Sequence, residues 1–226
     1  MTGAYGTLGV VVQAAFRLHP VQPGRAVVTR DGPLEDVAAA ARAAVASQLA
    51  PAAVELDRRA GRDDATLAVL FEGVADAVRE RARAAAALVG GEIQEEVPEW
   101  WAGVPEGAVT AKATATLTGV GLLLAAARDA EQGSGVGVAV RGSAMGALLV
   151  GIDAPDPAAT AAAVARLRAV ASTPADGTVT VLVAPSDVRA GLDVWGPVPG
   201  LDLMRSIKSR LDPGRRLSPG RFVGGI

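Results

Sequence analysis

The sequence predicts an α+β fold in which a ferredoxin-like unit, of element order β-α-β-β-α-β, occurs twice and forms antiparallel sheet with helices on one face. Runs of β-branched residues alternate with alanine-rich helical segments. Each half of the chain has two strands in direct succession, whereas a parallel sheet needs a crossover connection, usually a helix, between its strands. The same order of elements recurs after about 84 residues with negligible sequence identity, which indicates a repeat of structural pattern.

The two repeats occupy the middle of the chain. In the first, strands are predicted at residues 25–30, 52–56, 66–71 and 92–97. Its helices are predicted at residues 34–48 and 74–89, where apolar residues recur at helical spacing, and Gly90-Gly91 ends the second helix. In the second repeat, strands are predicted at residues 109–117, 136–140, 147–152 and 178–183, and helices at residues 120–130 and 157–171.

Two segments lie outside the repeats. Residues 8–18 alternate like a strand but have no local partner, and residues 185–226 are rich in proline and glycine around one amphipathic helix at 201–211. We therefore divide the chain into a front segment (1–21), a duplicated ferredoxin-like domain (22–184) and a C-terminal segment (185–226).

Composition excludes several classes of function. No apolar run reaches the roughly 18 residues that a membrane span needs, and the front of the chain has no targeting signal, so we expect a cytoplasmic protein. The net charge is only −2, and the basic residues are spread along the chain rather than clustered, which argues against a nucleic-acid partner. The chain has no cysteine, so it cannot form disulfides, thiolate zinc sites or cysteine-ligated iron–sulfur clusters.

The two outer segments carry motifs that resemble a known family. The front contains Gly3-Ala4-Tyr5-Gly6-Thr7-Leu8-Gly9-Val10, followed by Phe16-Arg17-Leu18-His19-Pro20. Taken alone, the glycine spacing also fits a tight turn before a strand. The tail contains Lys208-Ser209-Arg210-Leu211-Asp212-Pro213 and Leu217-Ser218-Pro219-Gly220-Arg221. In this order, the motifs resemble four stretches of FAD-linked oxidases of the vanillyl-alcohol oxidase superfamily. The front motifs resemble the G-T-L-G and F-R-L-x-P stretches that close the flavin domain. The tail motifs resemble the terminal K-x-x-F-D-P and N-P-G-[KR] stretches.

The resemblance implies a cap domain that closes over FAD and shapes the substrate pocket. It implies a component of a 2-hydroxy-acid oxidoreductase of the glycolate type, with a separate flavin-binding domain as partner and an iron–sulfur subunit as a further partner class. Five residues in the end motifs are then predicted to contact the cofactor: Gly6, Thr7, Gly9, Pro219 and Arg221. Because the front segment supplies only one strand of a flavin domain, we expect this chain alone to bind no FAD.

At one motif the sequence departs from the family pattern, and this departure restricts which members of the family it resembles. Complete members with this cap carry H-x-G-D-G-N-x-H, which binds a metal, whereas the corresponding stretch here is Arg141-Gly142-Ser143-Ala144-Met145-Gly146. The only histidine is His19. We therefore expect no metal site, and the chain is most similar to the E-type chain of glycolate oxidase, which lacks those histidines.

Lys112 and Arg141 are the predicted substrate-binding residues, because each is a cation in or at the end of a second-repeat strand and could pair with a carboxylate. The alternative for each is a solvent-facing charge on the polar side of its strand. Trp100-Trp101 are expected to cover either a core edge or an interface, and we favour the interface. No residue is assigned a catalytic role.

A second function remains open from the residues alone. The chain could be a non-catalytic binding or assembly module left by gene splitting or truncation. An unpaired strand at residues 8–18 would favour association, through a homodimer or through a separately encoded flavin domain.

Overall fold

The computed structural model describes residues 3–18 and 20–226, so His19 lies outside the described residues. The chain separates into two compact units. The sheet unit is Val21–Gly196, and the terminal unit combines Met1–Pro20 with Pro197–Ile226. Within the described residues, no helix is both long enough and apolar enough to cross a bilayer.

The sheet unit contains the two predicted repeats. The first consists of β1 (Gly24–Pro33), α1 (Leu34–Ala46), β2 (Ala53–Arg58), β3 (Asp64–Gly73), α2 (Ala75–Val89) and β4 (Glu92–Gln94). The second consists of β5 (Val109–Thr114), α3 (Gly119–Ser134), β6 (Val138–Ser143), β7 (Ala147–Ile152), α4 (Pro157–Ser172) and β8 (Thr178–Val183). A short helix, α5 (Ser186–Ala190), follows and was not predicted.

The eight strands found in the described part of the chain form one sheet in the order β4-β1-β3-β2-β6-β7-β5-β8, and the neighbours are antiparallel. Each half has the strand order of a ferredoxin-like unit, and the halves join edge to edge through β2 and β6. Asp57 faces Arg141 at this joint, and the two residues also occupy equivalent positions in the repeats. The approximate two-fold axis therefore passes between them. The predicted α+β fold of two ferredoxin-like units is confirmed.

The main core lies between the helices and one face of the sheet. On β3, Leu67, Val69 and Phe71 point toward this core, as the two-residue period of a strand requires. The alanine-rich helices pack closely: a Cβ atom added at Gly121 on α3 would lie 3.1 Å from the Cβ of Ala38 on α1. Small residues at these helical positions therefore allow the two repeats to share one helical layer.

The opposite face of the sheet, here called the open face, has a smaller apolar cluster. Trp100 covers Val27, Ala68 and Leu70 and is itself buried. Trp101 packs beside it and is partly buried. The favoured interface role is therefore wrong for Trp100. It covers apolar side chains of the first repeat that would otherwise face water.

The terminal unit contains α6 (Leu201–Leu211), whose bounds match the prediction, and a 3₁₀ turn at Val223–Gly225. The strand predicted over residues 8–18 is not formed: residues 9–18 belong to no strand. A strand is stable only when its backbone groups pair with a neighbour. The structure supplies no neighbouring strand to this segment within the described residues, and the residues keep an irregular conformation.

Candidate functional site

The strand register places a row of side chains across the open face. It runs from Asp57 on β2 through Arg141 on β6, Leu149 on β7 and Lys112 on β5 to Thr180 on β8. Residues directly opposite one another in neighbouring strands point to the same face. Lys112 and Arg141 therefore share a face. Their Cα atoms are about 10 Å apart, because each step between strands is about 4.8 Å.

Arg141 is held by its own chain. Its Nε donates a hydrogen bond of 2.7 Å to Oδ1 of Asp57, and its Nη1 donates one of 3.1 Å to the carbonyl oxygen of Val104. The Asp57 side chain is only 3% exposed, and the Nε of Arg59 lies 3.6 Å from its second oxygen. A buried carboxylate thus already balances the Arg141 charge. Asp57 was not predicted from the sequence as a site residue, although it lies 84 residues before Arg141, which is the spacing of the repeats.

Lys112 has a different environment. Its side chain is exposed, and within the described part of the chain it has no ion-pair partner. Thr110 and Thr114 lie two residues to either side on β5, and therefore on the same face, with Thr180 opposite. An unpaired ammonium group among hydroxyl groups can bind a carboxylate through charge-assisted hydrogen bonds. Of the two predicted cations, Lys112 is the one available to a ligand.

Two cavities adjoin the first-repeat end of this row. The larger, of about 1090 Å³, is lined by five carboxylates and two arginines: Asp31, Asp57, Asp64, Glu95, Glu96, Arg59 and Arg62, with neutral residues between them. The smaller, of about 480 Å³, is lined by Arg59, Ala60, Glu99, Trp100, Glu106, Ala139 and Arg141. The excess of carboxylates disfavours an anionic ligand in the larger cavity. The second-repeat end of the row, at Lys112, is the better place for an anion.

A buried ion pair fixes the joint between β2 and β6. Arg58, 1% exposed, donates hydrogen bonds to a carboxylate oxygen of Glu131 and to the carbonyl oxygen of Val138. Glu131 also accepts hydrogen bonds of 2.8 Å from the backbone N–H groups of Gly61 and Val138. Burial raises the pKa of the Glu131 carboxyl, but the hydrogen bonds from Arg58 and the two amides outweigh burial and lower it. The Arg58–Glu131 ion pair therefore has a structural role, since it links β2 to α3 where the two repeats meet.

The terminal unit is organised around Lys208. Its buried ammonium group donates to three oxygens: the Thr7 carbonyl at 2.7 Å, Oδ2 of Asp212 at 2.6 Å and the Leu217 carbonyl at 2.8 Å. Asp212 in turn accepts hydrogen bonds from the backbone N–H groups of Arg216 and Leu217. The bond from Lys208, followed by those from the two amides, lowers the pKa of Asp212 to about 2. We call Thr7, Lys208, Asp212 and Leu217 the terminal lock.

The lock joins residues that the two end motifs supply from opposite ends of the chain. Gly6 lies beside Ser218, because a Cβ added at Gly6 would be 3.4 Å from the Ser218 hydroxyl oxygen. The rings of Tyr5 and Phe222 stack with centroids 5.6 Å apart. Lys208 and Asp212 are four residues apart, about one helical turn, so their side chains meet at the C-terminal end of α6.

The five predicted cofactor residues all lie in the terminal unit. Thr7 is buried, and its hydroxyl donates to the carbonyl oxygen of Ala4, so its side chain is turned toward its own segment. Gly9 is half-buried, whereas Pro219 and Arg221 are exposed. The cofactor role of these residues stays a prediction. Among the described residues, no three histidine, aspartate or glutamate side chains converge as a metal site would require.

No protein-family profile and no curated protein sequence matches this chain. Its fold resembles that of alkyldihydroxyacetonephosphate synthase in two crystal forms. The first match has a TM-score of 0.58 at 13% identity and covers 96% of this chain and 48% of the synthase chain. The second has a TM-score of 0.54 at 13% identity and covers 93% and 46%, respectively. At this identity the likeness establishes a shared fold, and this chain spans about half the length of the synthase.

Proposed function

We propose that this chain is the cap, or substrate-domain, component of an FAD-linked 2-hydroxy-acid oxidoreductase. The observation that carries the proposal is that nearly the whole chain shares the fold of about half of alkyldihydroxyacetonephosphate synthase, an enzyme of the same FAD-linked oxidase family that the end motifs resemble. The terminal lock adds support, since it joins the family-like motifs of the front and the tail through one buried lysine.

In the complete enzyme, FAD would accept a hydride from the substrate. The exposed ammonium group of Lys112 would bind the substrate carboxylate, with the neighbouring threonine hydroxyls completing the polar surface. Arg141 would act on the substrate only indirectly, because Asp57 and the Val104 carbonyl oxygen already hold its guanidinium. Gly6, Gly9, Pro219 and Arg221 would lie against the flavin. The lack of the histidine motif favours the E-type chain of glycolate oxidase and a chain that binds no metal.

The proposal includes the partners and the location. A flavin-binding domain would supply the remaining FAD contacts, and an iron–sulfur subunit is the partner class that would accept electrons. The substrate would be a small 2-hydroxy acid such as glycolate, and the assembly would work in the cytoplasm.

The test is reconstitution with a flavin-binding domain of an FAD-linked oxidase from the same genome. The complex should carry FAD and reduce a dye when glycolate, lactate or another 2-hydroxy acid is added. Lys112→Gln should raise KM for the active acid about 10- to 100-fold, as expected for loss of one charge-assisted hydrogen bond. Arg128→Gln, which removes an arginine charge on helix α3, is the matched control and should leave KM unchanged.

Each outcome distinguishes one part of the proposal. A complex that contains FAD but turns over none of the acids would contradict the substrate class and favour the non-catalytic module. An active complex in which Lys112→Gln behaves like Arg128→Gln would remove Lys112 from the substrate site.

A further inference from the structure

Glu55 is a half-buried carboxylate on the open face, outside the site built around Lys112. It lies on β2, two residues before Asp57, and its side chain therefore points to the same face. Within the described part of the chain, the Glu55 carboxyl group has no hydrogen bond and no ion pair. Partly buried polar groups without a partner are rare in folded proteins, because burial without a partner costs free energy. Such a group is a candidate for binding a ligand.

The surroundings of Glu55 on the first-repeat side are apolar. Ala68 lies directly opposite it on β3, and Ala53 lies two residues before it on β2. Ala68 belongs to the cluster around Trp100, and Ala53 packs against that cluster. Burial raises the pKa of the Glu55 carboxyl. A carboxylate with a raised pKa takes up a proton more readily, as a general base requires.

The nearest charges on the open face do not provide Glu55 with a counter-ion. Asp57 is the next open-face residue on β2, and Arg141 lies diagonal to Glu55 on β6. These two residues pair with each other, and Arg141 also donates to the carbonyl oxygen of Val104. Directly opposite Glu55 on β6 is Ser143, which is neutral. At this joint the charge of Asp57 is therefore compensated, whereas that of Glu55 is available to a ligand.

A floor of small side chains, Ser143 and Ala147, lies between Glu55 and Lys112. The row that contains Glu55 runs through Ser143 on β6 and Ala147 on β7 to Thr114 on β5, two residues from Lys112. Three strand spacings of about 4.8 Å and two residues of about 3.4 Å place the Cα atoms of Glu55 and Lys112 about 16 Å apart. The two extended side chains together span up to about 11 Å. Both can therefore reach a small ligand above the floor through hydrogen bonds of about 2.8 Å.

We infer that Glu55 binds the 2-hydroxyl group of a ligand whose carboxylate Lys112 holds, and that Glu55 accepts the hydroxyl proton when this ligand is oxidised. The second part rests on the proposed function, which supplies FAD as the hydride acceptor. The O–H bond breaks, its proton passes to a carboxylate oxygen of Glu55, and its electron pair forms the C=O double bond. The hydrogen on the same carbon leaves with its electron pair as the hydride, so the product is a 2-oxo acid and both electrons reside on the reduced flavin.

The opposite charges of Glu55 and Lys112 also set the direction of the ligand. The ammonium group of Lys112 attracts the carboxylate end of a 2-hydroxy acid, whereas the carboxylate of Glu55 repels it. The hydroxyl group is neutral and can donate a hydrogen bond to Glu55. A 2-hydroxy acid is therefore bound in one orientation, with its hydroxyl group at Glu55.

The first experiment uses the full chain in complex with a flavin-binding domain of an FAD-linked oxidase from the same genome. The amide of Glu55→Gln can still accept a hydrogen bond but cannot take up the proton, so kcat should fall about 100- to 10,000-fold while KM changes less than about threefold. In the parent complex, kcat/KM should fall at acid pH as Glu55 is protonated, and Glu55→Gln should lack this fall. Glu92→Gln, at an exposed carboxylate on β4 in the same row, is the matched control and should leave kcat and the pH profile unchanged.

The second experiment needs neither FAD nor turnover. The full chain is isotope-labelled at the carboxyl carbon of its glutamate side chains, and the NMR resonance that Glu55→Gln removes is assigned to Glu55. This resonance should shift when lactate is added and should not shift with propionate, which lacks the hydroxyl group. Lys112→Gln should raise the lactate concentration needed for half of the shift at least about 10-fold. Glu55→Gln should unfold at the same or a higher urea concentration than the parent chain, because it removes an unpartnered carboxylate.

Three results would overturn the inference: equal responses of the Glu55 resonance to lactate and propionate, a kcat of Glu55→Gln within about threefold of the parent value, or a lower urea midpoint for Glu55→Gln. The last result would mean that Glu55 acts through the stability of the fold. Failure of the proposed function is distinguishable from these. In that case the parent complex oxidises no 2-hydroxy acid, while the Glu55 resonance still responds to lactate and not to propionate, and Glu55 keeps its role as the hydroxyl-binding residue.

Discussion

Replacing Arg141 by methionine tests whether this residue is a structural partner of Asp57 or a free substrate ligand. Breaking a buried ion pair by removing one partner costs about 3–5 kcal/mol, because the other charge stays buried. Asp57 is 3% exposed, but it would keep Arg59, whose Nε is 3.6 Å away and whose side chain is 74% exposed. We therefore expect Arg141→Met to lower the free energy of unfolding by about 2–4 kcal/mol, slightly less than for a fully isolated pair.

The second step of the test is a double-mutant cycle. Asp57→Leu should also destabilise the fold, because Arg141 would keep only the Val104 carbonyl oxygen as the partner of a guanidinium that is 14% exposed. The double variant Asp57→Leu/Arg141→Met replaces the pair with apolar groups of similar size and should recover much of the loss. We expect a coupling energy of about 1.5–3 kcal/mol between the two sites.

The free energies come from urea unfolding followed by far-ultraviolet circular dichroism, with m-values checked for two-state behaviour. Arg128→Met on α3 is the control for loss of an arginine, since its contact with the exposed Asp129 should contribute less than about 1 kcal/mol. A coupling energy below about 0.5 kcal/mol, within the usual additivity error, would refute the reasoning. In that case Arg141 would return as a candidate ligand.

The remaining predictions concern the terminal unit and the cofactor. Asp212 has a folded-state pKa of about 2, below its ordinary value of 3.8, so the stability it contributes is present above pH 3.8 and is lost as the pH falls toward 2. Protection of the α6 amides against hydrogen exchange, measured relative to an unfolded peptide at the same pH, should therefore fall over this pH window, and Asp212→Asn should remove this pH dependence. After incubation with FAD and removal of the unbound FAD, the purified chain alone should show no flavin absorbance and no dye reduction with 2-hydroxy acids, because a cofactor site must enclose most of its ligand. A yellow, active preparation of the chain alone would contradict that prediction.

The sequence predicted best those helices and strands whose ends are marked by neighbouring residues in the chain. Helix α6 and strands β7 and β8 have the predicted bounds, because a glycine directly precedes each of them: Gly200, Gly146 and Gly177, respectively. The predicted strand over residues 8–18 failed for a physical reason. Alternation states which face of a strand would be apolar, but the strand forms only if another chain segment supplies the hydrogen-bond partners.

The candidate site was predictable only in part. Their positions in the sequence identified Lys112 and Arg141 as cations of second-repeat strands. The sequence did not show which of the two charges is neutralised by another residue. That distinction depends on Asp57, which reaches Arg141 only because β2 and β6 join the two repeats. The terminal lock likewise depends on a hydrogen bond between residues 7 and 208, and no local pattern predicts a contact over that separation.

The joint between the repeats shows how the duplicated fold became asymmetric. In a symmetric pair of identical units, the residues at the two-fold axis would be the same and would carry like charges or none. Here the axis lies between Asp57 and Arg141, which pair at 2.7 Å, so the first repeat supplies the anion and the second the cation. Beyond the axis, carboxylates predominate around the first-repeat cavity, whereas β5 presents Lys112 between two threonines. This asymmetry would favour an anionic ligand at the second repeat over the first, and the Asp57–Arg141 ion pair also links β2 to β6 at the joint.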